Sequence, residues 1–448
     1  MRRNAQTSST ASMVAPFATG CTSRRTFIGT MVGGALAPAV LPVLPSPVQA
    51  HAARAERAVP TLDRESQASE EYWEIIRSQF PLRAELIVLN AANLCPSPRI
   101  VSDAVAVYTR DIDADPSFQN RAKFSGLHQK TIERVAAWVG ADADEIAITR
   151  NTSESNNIVV GGLDMGSGDE VVLWDENHPT NNVAWDVRAQ RYGFTVRRVK
   201  RPDAPASAAP DLVQPFLDAL GPRTRVLAFS HASNSSGVLL PAAELCAAAR
   251  QRGILTLVDG AQTFGALDLD LHAMGCDFFT ASAHKWLMGP KEAGLLYVRR
   301  GSGERLWPGV VGVGWEGAKA AGARRFSTLG QRDDAAIVAV GAAVEFLERI
   351  GAARVEARVR QLATTLKQNI ADAVPGVRFV TPLDPASSAG VVIFAVEGID
   401  TRAAYNRLYE QYSIAGASTG GIRLCPHVYN TMAQMERVVE AVRQVTAV

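Results

Sequence analysis

Cysteine is scarce and scattered in this sequence. Five cysteines stand among 448 residues, at positions 21, 95, 246, 276 and 425, with no CxxC pair, which excludes an iron–sulfur or zinc site built on thiolates. The seven histidines form no HExxH motif and no i, i+4 pair, so a metal hydrolase lacks its ligands too and no metal is expected. An excess of charge is missing as well. The 46 basic groups against 45 acidic ones leave +1 at pH 7, which removes the electrostatic case for a nucleic-acid or anionic-membrane partner. The apolar run from Ile28 to Leu44 is broken by Pro38 and Pro42 and is short for a membrane span, so no stable anchor is expected.

What the N-terminus does contain is the SRRTFIG stretch from Ser23, the apolar run, and small residues at the exit Val48-Gln49-Ala50. That order resembles a twin-arginine export signal over residues 1–50, removed near Ala50. It implies the twin-arginine machinery as a partner and a periplasmic or otherwise exported location. Residues 51–85 read as a linker and N-terminal docking segment, with helical periodicity through Tyr72, Trp73, Ile75 and Ile76.

From Leu86 onward the pattern alternates. Strand-like runs occur at 145–149, 170–174, 195–199, 226–230, 254–259, 277–282 and 294–298, most of them separated by helical periodicity such as 183–191 and 241–251. Apolar, β-branched strands alternating with helices predict an α/β fold, with a mostly parallel sheet flanked by helices over residues 86–330. Long helical patterns from Asp333 and Ala352, two further strand runs, IRLCP at Ile422 and a last helix from Thr431 predict linking helices and a smaller C-terminal α+β domain over 331–448.

Four places carry candidate chemistry. Thr149 to Glu154 closes a strand and opens a helix, where free backbone N–H groups favour a phosphate, although a plain N-cap by Thr152 or Ser153 gives the same pattern. Asp259 ends the strand ILTLVD, where its carboxylate either holds a ring nitrogen protonated or caps the turn GAQ. Lys285 in SAHKW follows a buried strand, where an amine is costly unless paired, neutral or consumed in a Schiff base. Arg423 is one charge in an apolar strand, suited to a substrate carboxylate or to an interdomain salt bridge.

Taken in order, DENHPTNN, SHASNSSG, VDGAQ, SAHKWLMGPKEAGLLYV, LGQRDDA and IRLCPHVYNT resemble the class V aminotransferase family of pyridoxal-phosphate enzymes, fold type I, nearest in flavour to isopenicillin-N-epimerase-like members. The resemblance covers Leu86 to the C-terminus. It implies pyridoxal 5'-phosphate as cofactor, held as a Schiff base on Lys285, which also shuttles the Cα proton. Asp259 would pair with the ring nitrogen, Gln262 would reach the phenolic oxygen, and His178 would stack on the ring. Thr152, Ser153, Ser282 and His284 would hold the phosphate. Arg423 and Asn234, helped by the turn from Asn90 to Asn93, would seat the carboxylate of a small amino-acid-type substrate. A homodimer with shared sites is implied, and Gln331 stands where many relatives place a threonine that reaches the neighbouring subunit's phosphate.

One departure bears on the reaction. Desulfurases carry a nucleophilic cysteine ahead of the arginine, whereas Ile414 to Gly421 reads IAGASTGG, so persulfide chemistry is not expected. The expected activity is a Cα reaction on the amino-acid portion of a small molecule: transamination or a related deamination or decarboxylation, in one reading tailoring a peptide siderophore. Epimerisation and C–S lysis are the alternatives within the family, and a non-catalytic exported binding protein the alternative outside it. Gly312 to Gly317 matches GxGxxG, but only a two-valine apolar step precedes it, which makes a nicotinamide site the poorer reading.

Overall fold

The computed structural model describes residues 69–447 apart from 204, 208–210, 314, 316 and 318–321. The signal-peptide reading of residues 1–50 and the linker to residue 68 therefore lie outside the described residues, and the run 312–317 lies only partly within them. The strands are β1 (Ile87–Val88), β2 (Ile146–Thr149), β3 (Glu170–Trp174), β4 (Thr195–Val199), β5 (Thr224–Ser230), β6 (Leu255–Asp259), β7 (Phe278–Ser282), β8 (Gly294–Val298), β9 (Val377–Phe379), β10 (Val392–Val396), β11 (Ile414–Ala415) and β12 (Ile422–Leu424).

Seven of these form one sheet in the order β2-β8-β7-β6-β5-β3-β4. The pairs from β4 through β3, β5 and β6 to β7 are parallel. Strands β3, β7 and β8 are buried along their whole length, as the near-continuous apolar runs require of strands covered on both faces. At the edge, β4 exposes alternate residues of TVRRV and blunts the open side with Arg197 and Arg198. The sheet departs from a purely parallel one at β8, which runs antiparallel to both β7 and β2. The cause is local: Ala283 to Ala293 contains no helix, and a parallel return needs a crossover long enough to hold one. The consequence is that β2 and β7 end together, Thr149 and Ser282 both opposite Gly294.

A second layer holds the antiparallel sheet β12-β10-β9 and the parallel pair β1-β11. The packing does not change at residue 86, where the sequence reading began the large domain. Ile87 and Leu89 lie in the C-terminal core with Leu362, Val392, Leu424 and Val438, because β1 pairs with β11 more than three hundred residues away. A two-residue ladder carries no pattern that names its partner. Likewise the helix Asp334–Ile350 packs on the helices Arg99–Ala114 and Lys123–Trp138 in the large core, and only the distal half of the helix Ala352–Ala373 reaches the smaller one.

Candidate active site

The parallel strands deliver their last residues to one edge, the usual position of a ligand in such sheets. Asp259 is the last residue of β6 and Ser282 the last of β7, while His178 lies four residues beyond β3. Opposite Ser282, the helix Thr152–Gly162 begins. Asn151 caps it, its side chain accepting from Glu154 N–H at 2.9 Å, and the Thr152 N–H donates to Ser282 Oγ at 2.8 Å while the two hydroxyls lie 2.6 Å apart. This approach depends on Gly294, since a Cβ there would fall 2.7 Å from Asn151 Cα and 2.8 Å from Ala281 O.

Asp259 is buried and fully oriented. Its Oδ1 accepts the Ala261 N–H at 3.0 Å, and its Oδ2 accepts Asn156 Nδ2 at 3.1 Å. Asn156 is itself set by Thr280, whose hydroxyl donates to its Oδ1 at 2.7 Å. Gln262, three residues beyond Asp259, donates to Ala92 O at 3.0 Å and accepts the Trp286 indole N–H at 2.8 Å.

The Lys285 amine makes no hydrogen bond or ion pair among the described residues. Burial holds its amine below the ordinary lysine range; the Asp259 carboxylate works against that shift and the Arg423 guanidinium with it. His178 titrates below its ordinary value because burial disfavours the imidazolium and Lys285 and Arg423 repel it, with Asp259 opposing. Its Nδ1 accepts the Thr180 N–H at 3.3 Å, which an imidazole does only when that nitrogen is unprotonated. Lys285, Asp259, His178 and Arg423 thus share one electrostatic neighbourhood. His284 is pushed down to about 4 by burial and by Lys285, and its buried Nδ1 has no protein partner.

Arg423 is 4% exposed and has no carboxylate partner among the described residues, which removes the salt-bridge reading. Its Nη1 donates to Asn234 O at 3.0 Å and its Nη2 to Asn90 Oδ1 at 3.2 Å, leaving a buried Nε unpaired. Neutral acceptors orient the guanidinium without cancelling its charge, an arrangement that suits an incoming carboxylate.

Several of the expected residues arrive differently. Asn90, not Asn93, touches Arg423; Asn93 is exposed and only its N–H takes part, closing the turn on Asn90 O at 2.9 Å. Asn234 contributes its backbone carbonyl rather than its amide. The Ser153 side chain is exposed and faces a different cavity, of about 540 Å³, with Arg150, Asn157 and Arg188; what remains for the expected role is its N–H in the first helical turn, where no intrahelical acceptor exists. Gln331 is not gathered with these residues in the single chain. It is exposed, bonds Arg121 and Arg332 O, and lines a cavity of about 270 Å³ with His128 and Asp334. The sequence reading missed Asn156 and Trp286. Asn156 sits four residues after Thr152 on the same helical face, and that spacing was the available signal.

The donor set fits pyridoxal phosphate. An unpaired amine with a lowered pKa, a carboxylate held rigid for a ring nitrogen, hydroxyls with a helix start for a phosphate, and the orphaned His284 nitrogen are the groups that ligand requires.

The family model for aminotransferase class V matches residues 87–443. Isopenicillin N epimerase of Amycolatopsis lactamdurans is 32% identical over 394 residues, covering 84% of this chain and 98% of that protein. A probable cysteine desulfurase of Methanothermobacter thermautotrophicus is 28% identical over 398 residues, covering 83% of this chain and 98% of its own length. Among solved structures, a C-DES variant with glycine covalently linked to its PLP cofactor superposes with a TM-score of 0.75 at 26% identity, covering 82% of this chain and 98% of that one. The chain belongs to the aminotransferase class V family of pyridoxal-phosphate enzymes.

Proposed function

We propose that this protein is an exported, homodimeric enzyme that uses pyridoxal 5'-phosphate to transform the amino-acid portion of a small molecule at Cα, by transamination or a related deamination or decarboxylation. The observation that carries the reading is the convergence of an unpaired, buried Lys285 amine with a rigidly held Asp259 carboxylate and an uncancelled Arg423 guanidinium. When bound, the cofactor supplies an electron sink for the bond that breaks at Cα.

The chain's own groups do the rest. Lys285 offers the amine that tethers the aldehyde, its lowered pKa raising the neutral, nucleophilic fraction. Later the same amine stands ready to take or return the Cα proton. Asp259 keeps the ring nitrogen protonated by its charge. Thr152, Ser282 and His284, with the Ser153 N–H, would hold the phosphate, and neutral His178 would lie against the ring. Arg423, aimed by Asn90 and the Asn234 carbonyl, would seat the substrate carboxylate and so orient the amino acid in the site.

A sulfur-transfer reading finds little support, since Cys95, Cys246, Cys276 and Cys425 are all buried, and burial pushes the Cys95 thiol up to about 12. Epimerisation is the second reading, favoured by the likeness to isopenicillin N epimerase. The export signal rests on the SRRTFIG run, and a siderophore-tailoring role on export together with the NAANLCP and DADPSFQNRAKF segments and the poor fit of core metabolism outside the cytoplasm. Exposed apolar residues on the 307–313 loop, Trp307, Val310 and Val311, support burial against a second copy.

The test is borohydride reduction of the yellow mature protein followed by peptide mapping. The adduct belongs on Lys285, and a label on any other residue sinks the assignment. Incubation with amino compounds then reads ammonia, carbon dioxide, keto acid or an inverted Cα, and retention of all substrates unchanged argues for a binding protein instead.

A further inference from the structure

The indole next to the tethering lysine is not accounted for by packing alone. Trp286 is fully buried, and its N–H donates to Gln262 Oε1 at 2.8 Å. An indole N–H can only donate and the Ala92 carbonyl at the other end of the amide can only accept, so both contacts demand the same orientation of the Gln262 side chain. Swapping its oxygen and nitrogen would place donor against donor and acceptor against acceptor. In the observed orientation one amide hydrogen is used by Ala92 O at 3.0 Å and the second has no acceptor among the described residues.

Trp286 is in turn held from the C-terminal part of the chain. His427 Nε2 lies 2.7 Å from Trp286 O, and its Nδ1 accepts the Val428 N–H at 2.7 Å, so the ring is neutral with Nε2 as the donor. The two rings lie 5.4 Å apart. At the far edge of the indole stands Gly390, where a Cβ would fall 2.4 Å from the ring and 2.6 Å from Val359. A side chain at position 390 would therefore push the indole off its bond to Gln262.

We propose that Trp286 is a positioning residue that sets the basicity of the lysine-bound cofactor by forcing the Gln262 amide to present its N–H, and not its carbonyl, toward the phenolic oxygen. The inference rests on the pyridoxal-phosphate reading above. With the cofactor bound, an N–H donated to that oxygen would stabilise its anionic form and so lower the pH at which the bound chromophore titrates. An amide free to rotate would present its carbonyl part of the time and lose that effect.

The experiment is a pH titration of visible absorbance in the holoenzyme. Trp286→Phe, which removes the N–H, is expected to raise the midpoint by about one pH unit or more, the scale of one hydrogen bond to a charged group. Gly390→Ala is expected to shift it in the same direction. In a Gln262→Leu background, neither substitution should add to the shift that Gln262→Leu itself produces. An unchanged midpoint in Trp286→Phe with cofactor bound, or shifts that add in the Gln262→Leu background, overturns the proposal. Should Trp286→Phe fail to fold, Gly390→Ala with and without Gln262→Leu makes the same comparison. Failure of the underlying reading looks different: the unaltered protein then shows no visible band, or its borohydride adduct lies away from residue 285.

Discussion

Arg423 shows how little freedom a single side chain has at this site. It rises from a three-residue strand into a buried position, and among the described residues its guanidinium bonds only the Asn234 carbonyl and the Asn90 amide oxygen. A guanidinium can meet both and still offer a further N–H, because its donors form a planar fork. Lysine at this position would carry the same charge but could not satisfy two fixed acceptors and a ligand in the same plane. Arg423→Lys is therefore expected to lower kcat/KM by about tenfold to a hundredfold, corresponding to one charge-assisted hydrogen bond, mainly through KM, while the visible spectrum of the bound cofactor is retained. Steady-state kinetics beside an absorbance scan checks this. A change in the spectrum as large as the change in KM would place Arg423 against the cofactor instead of the substrate.

At the scale of elements, the decisive junction is where β2, β7 and β8 meet the start of the helix Thr152–Gly162. Gly294 faces Thr149 on one side and Ser282 on the other, and all three atoms nearest a Cβ placed there belong to backbone, so no side chain could move to make room. Gly294→Ala is expected to separate Thr152 from Ser282, weaken cofactor binding about tenfold, and cost roughly 1–3 kcal/mol of stability as overpacking does. Gly166→Ala, in open space, should leave both unchanged. Cofactor titration and thermal melting of the two variants decide it. The sequence made much of this junction legible: the strands announce themselves as apolar, β-branched runs because both faces are covered, and Asp259, Ser282 and Lys285 stand out as polar residues where such runs stop. It did not reveal that β8 runs backwards, since direction depends on what the connecting loop cannot hold. Nor did it reveal Asn156 and Trp286, because a polar residue on a helix reads as solvent-facing until a sheet is packed against it, and an indole beside a lysine reads as core. Asn90 and Asn234 were found as neighbours of Arg423, but pattern alone does not distinguish an amide from its own backbone carbonyl as the contact.

For the whole molecule, one buried cation outside the active site gives stability a pH dependence that can be isolated. Lys367, on the helix Ala352–Ala373, is 2% exposed and donates to Pro382 O at 2.9 Å, Leu383 O at 3.1 Å and Ser388 Oγ at 2.8 Å, with no ion pair among the described residues. Burial pushes its pKa down to about 8; Arg360 adds to the shift and Asp384 opposes it. In the unfolded chain the same amine keeps its proton to the ordinary lysine value of 10.5. Between these two values the folded state binds fewer protons than the unfolded state, so this group makes stability rise with pH, by at most about 1.4 kcal/mol per pH unit. Below pH 8 both states are protonated and the penalty of burying the ammonium is constant. Other groups oppose the trend, because burial raises the Cys95 and Tyr429 pKa values and their folded forms hold protons longer than the unfolded ones. The difference between the unaltered protein and Lys367→Met removes those shared contributions. Urea denaturation from pH 7 to 10.5 is expected to show Lys367→Met losing ground steadily to the parent above pH 8, by about 3 kcal/mol at the end of the range, with a constant difference below it. A difference that stays flat through pH 10.5 would mean that the two carbonyls and the Ser388 hydroxyl hold the amine in one protonation state throughout and offset its burial completely.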